Sequence, residues 1–243
     1  MRSNLQKGLS IKANMFWNSF GSIVYLGCQW LITILVVRLS TGYEDAGALA
    51  LGMAVSNVFS PIGYFKVRTY QVSDIDNRFS SGDYIGMRII TVAMSILVML
   101  VYGFATCSFA DLPIVFSYGI FSCGPIIVDV YHGIDQKHMR MDLIGKSLIM
   151  RGVLSLACFI AGMMLFHSLI IALGLMTIST FLVIGIYDVR QCRKLTESIR
   201  PIFSKTSITS LFRICFPMVI ALLFSSAAPS IPRQMLGDIY GSS

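Results

Sequence analysis

The chain has 243 residues, of which 55% are hydrophobic and 13% are charged, and its mean hydropathy is +0.74. An ordinary soluble domain contains about 25% charged residues, so this composition excludes most classes of soluble protein and indicates an integral membrane protein. The 19 basic and 12 acidic residues give a net charge of +7. In a membrane protein such an excess usually records orientation, so its meaning depends on where the basic residues lie.

A helix that spans a bilayer needs about 20 mainly apolar residues, and seven segments meet this requirement. These segments are residues 14–38, 46–65, 85–106, 112–131, 148–166, 169–187 and 213–232. Only His167 and Ser168 separate the fifth segment from the sixth, and one helix over both would be about 60 Å long, so a tight hairpin is predicted there. Arg2, Lys7 and Lys12 precede the first segment, but it is too long for a signal peptide, and we expect an uncleaved helix.

The positions of the Lys and Arg residues test this topology. If the N-terminus is cytoplasmic, 17 of the 19 basic residues lie in inside segments, and only Arg38 and Arg233 lie outside. The positive-inside rule therefore predicts a multi-pass membrane protein with a cytoplasmic N-terminus. The basic residues are dispersed over four short segments, so no nucleic-acid partner is expected.

Neither the cysteines nor the histidines form a recognisable chemical site. The six cysteines contain no CxxC pair, and Cys107, the one near the outer surface, has no partner there for a disulfide. No HExxH motif is present, so no metal site, cofactor or catalytic residue is predicted. His132, His138 and His167 are interpreted as solvated loop residues.

The first predicted helix carries polar side chains along one face. At 100° per residue they form a stripe about 100° wide, and the opposite face is apolar and includes Trp30. The stripe consists of Asn14, Asn18, Ser22, Tyr25, Gln29 and Thr33. Such a stripe is either the wall of a hydrated cavity or a set of bonds to neighbouring helices, each contributing about 1 kcal/mol. Because it extends over nearly the whole bilayer depth, we favour the cavity.

The second predicted helix has small residues at Ala48, Gly52, Ser56 and Ser60, which predicts the close approach of another helix. Asn57 lies beside this ridge. It could line the cavity or bond across the helix interface, and the sequence leaves both possibilities open.

Prolines are expected to bend several of the predicted helices. They are Pro125, Pro217, Pro229 and Pro232. A proline removes a backbone donor and kinks a helix, which would suit a transporter that changes shape. The alternative, of equal weight, is that proline is simply common in membrane helices.

Charged residues at the helix ends form a second polar set. Arg88 and Arg151 each lie about one turn inside a span, where snorkelling to the headgroups explains either residue alone. Together with Lys66 and Arg68 they could form a cationic vestibule, because guanidinium groups bind phosphate oxygens bidentately.

Two aspartates lie at the same end of the predicted spans. Asp129 and Asp188 are expected to pair with nearby Arg or Lys residues. No Asp or Glu is predicted deep in the membrane, and this weakens the case for coupling to protons through carboxylates.

Two inside loops carry a family resemblance. The first runs from Lys66 to Asp74 with the sequence KVRTYQVSD and is followed by GDY at 82–84 and by Arg88, and the second runs from 132 to 152. Together with the surroundings of Asn18 and the segment 225–233, these loops resemble those of Wzx-type polysaccharide flippases. That family belongs to the multidrug/oligosaccharidyl-lipid/polysaccharide exporter superfamily. The resemblance covers most of the chain.

The resemblance implies an all-α, polytopic membrane helix bundle and a function in transport. Residues 1–200 would form the N-terminal six-helix lobe, and 201–243 would form the end of the interlobe loop and the seventh helix, which begins a missing C-terminal lobe. The implied activity is translocation of undecaprenyl-diphosphate-linked oligosaccharide repeat units across a bacterial cytoplasmic (inner) membrane by alternating access. The implied substrate-binding residues are Asn14, Asn18, Ser22, Tyr25, Gln29, Asn57, Lys66, Arg68, Arg88 and Arg151.

The chain is therefore expected to be incomplete and not to transport alone. Restoration of surface polysaccharide by this piece in a strain that lacks its flippase would refute that expectation. Two alternatives within the superfamily are a multidrug exporter and a flippase for another lipid-linked precursor. A membrane enzyme of lipid-linked sugar metabolism is less favoured, because Asp74 and Asp76 are better explained as a solvated turn than as a metal site.

Overall fold

The computed structural model describes residues 8–40, 42–196 and 198–227, with residues 222–227 described by their backbone alone. Within these ranges all regular secondary structure is helical. The helices are α1 (Ile11–Leu39), α2 (Glu44–Tyr64), α3 (Val67–Ser73), α4 (Ser81–Thr106), α5 (Leu112–Lys137), α6 (Met141–Phe166), α7 (Leu169–Val183), α8 (Val189–Leu195) and α9 (Lys205–Ala227). A π-helical turn, Ile184–Asp188, joins α7 to α8 without a break. The predicted all-α fold is therefore confirmed.

Six helical units in the described residues are long and apolar enough to cross a membrane. They are α1, α2 with α3, α4, α5, α6, and α7 with α8, and they correspond to the first six predicted spans. The seventh predicted span, 213–232, begins within α9. Its end, which includes Pro229 and Pro232, lies outside the described residues, as do Arg2, Lys7 and Arg233.

The hairpin predicted between the fifth and sixth spans is confirmed. Helix α6 ends at Phe166, and α7 begins at Leu169. His167 adopts a left-handed conformation with φ of 48°, and the Ser168 side chain accepts a hydrogen bond from the backbone N–H of Ile171. Ser168 therefore caps α7, since a serine hydroxyl at this position satisfies a free backbone donor of the first helical turn.

The spanning helices form two packed sets. Helix α1 packs along α6, and α6 packs against α7, whereas α2, α4 and α5 pack against one another. The contact between α5 and α7 joins the two sets. Although α1 and α2 are consecutive in the chain, they belong to different sets and touch each other little.

Glycines allow α1 and α6 to approach closely. A Cβ atom on Gly21 would lie 2.5 Å from the Cα of Gly145, and one on Gly145 would overlap the carbonyl oxygen of Trp17. Two members of the polar stripe of α1 bond across this contact. Asn14 accepts from the backbone N–H of Met141, and Gln29 donates to the Oγ of Ser155 at 3.3 Å.

The apolar face of α1 is exposed, as predicted. Trp30 is 64% exposed, and Ile23 and Leu26 on the same helix are exposed to a similar degree. Large apolar side chains in this position suit a lipid environment. The small-residue ridge of α2 is confirmed as a packing surface, because a Cβ on Gly52 would lie 3.1 Å from the Cβ of Tyr118 on α5. Prolines lie within continuous helices at Pro125 in α5 and at two further positions, Pro61 and Pro217.

The segment 198–204 leads into α9 and crosses the start of α4. The backbone N–H of Ile202 donates to the carbonyl of Gly82 at 2.9 Å. A Cβ on Gly86 would overlap the Ile202 carbonyl, and one on Gly82 would lie 2.5 Å from the carbonyl of Arg200. These two glycines therefore allow the connecting segment to lie directly on the α4 backbone.

Candidate functional site

One end of the bundle collects the starts of α1, α4 and α6 and the ends of α2, α5 and α8, as contacts between these segments show. We call it the basic end, because the Lys and Arg residues of the predicted inside segments that fall within the described ranges lie there. A cavity of about 650 Å³ opens at this end between α2, α3 and α5, and we call it the α2–α3 cavity. Its lining residues are Asn57, Ser60, Pro61, Tyr64, Lys66, Arg68, Thr69, Val72, Asp129 and Gln136.

A sharp bend between α2 and α3 shapes this cavity. Phe65 and Lys66 have φ values of 43° and 54°. This left-handed conformation costs roughly 1–3 kcal/mol for each residue that is not glycine. The buried ring of Phe65 compensates by packing on Phe212, with ring centroids 4.8 Å apart. The bend places Lys66 and Arg68 in the cavity wall.

Arg88 supports the bend from behind the cavity wall. One terminal nitrogen, Nη1, donates to the carbonyls of Gly63 and Tyr64 at 2.7 and 2.8 Å, and the other, Nη2, donates to Asp129 Oδ2 at 2.7 Å. Thr91 also donates to the Gly63 carbonyl. Arg88 thus caps the last turn of α2, whose carbonyls have no partner within the helix. Its side chain is 1% exposed, so snorkelling was the wrong interpretation for this residue.

Arg68 shares the carboxylate of Asp129 with Arg88. Its Nη1 lies 3.3 Å from Asp129 Oδ1, and its Nε and Nη2 donate to Gln136 Oε1 at 3.2 and 2.8 Å. The predicted pairing of Asp129 with nearby arginines is therefore confirmed. The arrangement places two guanidinium groups and a single carboxylate at one wall of the cavity.

Arg151 is also buried, so snorkelling to the headgroups was the wrong interpretation for this residue as well. Its Nε donates to the Oγ of Ser147 at 3.3 Å, and its Cζ lies 5.5 Å from the centroid of the Tyr25 ring. Arg88 lies in the same way over Tyr64, at 5.9 Å. A cation over a tyrosine ring is attracted by the negative face of the ring. Both arginines are thus held by protein groups, and neither lines the α2–α3 cavity.

A buried polar cluster adjoins Arg151. His132 Nε2 lies 3.6 Å from Asp188 Oδ1, and Ser147 donates to Asp188 Oδ2 at 3.0 Å. The π-helical turn at the end of α7 carries Asp188 into this cluster. Two interpretations were therefore wrong. His132 is buried instead of solvated, and the partners of Asp188 within the described residues are a histidine and a serine instead of Arg or Lys. His138 and His167 are exposed, as expected.

The sequence also missed a buried carboxylate at Asp135. Helix α5 runs to Lys137, six residues beyond the predicted end of that span. Asp135 and His132 therefore lie in the helix, whereas the sequence pattern placed them in the following loop. Asp135 and Asp188 are each 1% exposed, and the Sγ of Cys192 approaches Asp135 Oδ1 at 3.6 Å. The protein therefore encloses two carboxylates at the basic end of the bundle.

Asp74, in the loop after α3, stabilises the local fold through hydrogen bonds. The Oη of Tyr84 donates to Asp74 Oδ2 at 2.7 Å, and the backbone N–H groups of Arg78 and Phe79 donate to the same carboxylate. Burial alone would raise the pKa of Asp74, but these hydrogen bonds outweigh burial and hold the pKa below its ordinary value. Asp74 was predicted to be solvated, and that prediction is wrong because the residue is buried. In the part of the chain that the structure describes, no group of three or more His, Cys, Asp or Glu residues is arranged to hold a metal ion.

The structure brings together only part of the predicted binding set. Asn57, Lys66 and Arg68 line the α2–α3 cavity, and Arg88 contacts it through Asp129. Arg151 and Tyr25 form a separate pair outside the lining of this cavity. On α1, Asn14 and Gln29 bond to α6 or its start. Asn18 and Ser22 are half-buried.

The described residues thus form an all-α bundle of six membrane-span-like helical units in two packed sets, with a cavity at the basic end. The chain is similar to a solved structure of the Vibrio cholerae MATE transporter VcmN in its bent form, with a TM-score of 0.70 and 16% identity. The similarity covers 99% of this chain and 59% of VcmN, so the chain spans somewhat more than half the length of that transporter. No family model and no curated protein matches the chain. At this identity the likeness shows the fold alone.

Proposed function

We propose that this chain is the N-terminal lobe of a flippase that translocates undecaprenyl-diphosphate-linked oligosaccharides across a bacterial cytoplasmic membrane, with its N-terminus in the cytoplasm. The observation that carries the proposal is the α2–α3 cavity, whose wall carries Lys66 at the bend and Arg68 in the first turn of α3, beside one carboxylate and several uncharged polar groups. A second lobe, supplied by the same protein, would complete the path by alternating access.

The charges of the cavity suit a diphosphate. Lys66 and Arg68 lie in the wall, Arg88 lies directly behind it, and Asp129 is the carboxylate that the lining contains. Three cations therefore oppose one anion. Guanidinium groups bind phosphate oxygens through two parallel hydrogen bonds, which makes Arg68 the best ligand in the lining. The prenyl chain can remain in lipid while its headgroup enters the cavity.

The uncharged lining suits the sugars. Asn57, Thr69 and Gln136 present amide and hydroxyl groups in the cavity, and such groups hydrogen-bond sugar hydroxyls without requiring a charge. We propose that the half-buried part of the α1 stripe, with Asn18, Ser22 and Tyr25, continues this surface. The excess of positive charge also favours an anionic headgroup over the organic cations that a multidrug exporter would bind.

The test is lipid binding by the purified protein in lipid nanodiscs. We expect undecaprenyl diphosphate to bind at least tenfold more tightly than undecaprenol, which corresponds to about 1.4 kcal/mol. Arg68→Ala should remove most of this difference, whereas Arg78→Ala, the matched control on the exposed loop, should leave it unchanged. Equal binding of the two lipids by the wild-type protein would overturn the proposal.

A second experiment tests the cavity wall itself. Asn18, Asn57 and Gln29, each replaced by Cys, should react with a membrane-impermeant thiol reagent in at least one state of the transporter. Trp30→Cys on the lipid-facing side of α1 is the control and should stay unlabelled. If none of the three positions is labelled in any state, the α1 stripe and Asn57 contribute only to helix packing.

A further inference from the structure

The two arginines on Asp129 are held very differently. Arg88 is 1% exposed, makes three hydrogen bonds of 2.7–2.8 Å and is fixed to the end of α2. Arg68 is 26% exposed, lines the α2–α3 cavity and approaches Asp129 only to 3.3 Å. Charge-assisted N–H···O bonds are strongest near 2.7–2.9 Å, so Arg88 holds the carboxylate firmly and Arg68 holds it weakly.

Asp129 therefore occupies the place that an anionic ligand would take. Its Oδ2 is committed to Arg88, and its Oδ1 faces Arg68 at the cavity wall. An incoming phosphate oxygen would compete with Oδ1 for the same Nη1 donor. Gln136 keeps the remaining donors of Arg68 in position during such an exchange, because it binds Nε and Nη2 instead of Nη1.

We propose that Asp129 is a specificity-determining residue, an internal carboxylate that competes with the ligand for Arg68 and so selects diphosphates over monophosphates. This inference rests on the proposed function of the cavity. A monophosphate must displace Asp129 from Arg68 and gains little beyond the contact that it replaces. A diphosphate carries a second phosphate group that can reach Lys66, on the same wall, and this added interaction offsets the displacement.

The test uses inorganic phosphate and inorganic pyrophosphate as probes and calorimetry on the purified protein in nanodiscs. We expect the wild-type protein to bind pyrophosphate at least tenfold more tightly than phosphate. Asp129→Asn should bind both probes more tightly and reduce their ratio to less than threefold. The matched control, Asp76→Asn, removes one negative charge from the exposed loop and should change neither affinity. Weaker binding by Asp129→Asn, or an unchanged ratio, would overturn the inference.

A second variant covers the case in which Asp129→Asn fails to fold, since Asp129 also neutralises the buried Arg88. In the wild-type protein Asp129 occupies Arg68, so Arg68→Gln should lower the affinity for pyrophosphate about tenfold and leave that for phosphate nearly unchanged. An equal loss for both probes would show that Asp129 does not compete. If the wild-type protein binds neither probe, the proposed function fails as a whole. If it binds both without selectivity, only the role of Asp129 fails.

Discussion

Replacement of Arg88 by alanine tests whether this buried arginine holds the bend between α2 and α3. The substitution removes the donor from the Tyr64 carbonyl and from Asp129 Oδ2, whereas the Gly63 carbonyl keeps Thr91 as a donor. Breaking a buried ion pair from one side costs about 3–5 kcal/mol. Asp129 is 15% exposed and retains Arg68, so we expect a loss of about 3 kcal/mol in the free energy of unfolding, the lower end of that range.

The loss can be measured by titrating the purified protein with SDS in mixed micelles and following helix content. Arg88→Lys should lose about half as much, since a lysine keeps the charge but cannot bridge two carbonyls and a carboxylate in one plane. The control is Arg78→Ala, because Arg78 is exposed and its contact with Asp76 is long, at 3.8 Å, and we expect a change below about 0.5 kcal/mol. A value for Arg88→Ala within about 1 kcal/mol of the wild type would show that the cap does not support the bend.

Three further predictions concern packing and pH. Gly86→Ala should displace the segment at Ile202 and increase its cleavage by protease, whereas Gly174→Ala, whose Cβ would meet open space, should leave cleavage unchanged. Gly145→Val should separate α1 from α6 and lower the midpoint of thermal unfolding. An unchanged midpoint would contradict this prediction. The pKa of Asp74 is lowered in the folded protein, so its contribution to stability is present above the ordinary value of about 4 and is lost as the pH falls through the folded pKa. The difference in stability between the wild type and Asp74→Asn should therefore shrink on acidification, and a difference that is constant from pH 7 to pH 3 would refute this assignment.

The helical units could be predicted from the sequence because each is a long apolar segment bounded by charges. The lipid-facing side of α1 was equally readable, since a single helix with Trp30 opposite a polar stripe has one plausible orientation. The packing ridge at Gly52 followed from the same regular spacing. Such features depend on residues that are close in sequence, and the sequence alone contains them.

The site residues depend on contacts between distant segments, and here prediction was limited. Nothing near Arg88 in the sequence indicates that its donors reach carbonyls at the end of α2, 24 and 25 residues away. His132 and Asp135 were placed in a loop because hydropathy marks where the apolar residues stop, whereas the helix continues to Lys137. The π-helical turn that buries Asp188 has no signature in composition or spacing.

Helix α4 connects two parts of the protein over less than one turn. Gly86 lies under the segment that leads to α9, and Arg88, two residues later, holds the end of α2 and the carboxylate of the cavity. The same short piece of α4 therefore contacts two features. One is the segment that leads to α9, and the other is the cavity wall that carries Lys66 and Arg68. A movement of α9 that displaces Ile202 would therefore act on α4 next to Arg88, and so on the cavity wall, without requiring a change in the other helices.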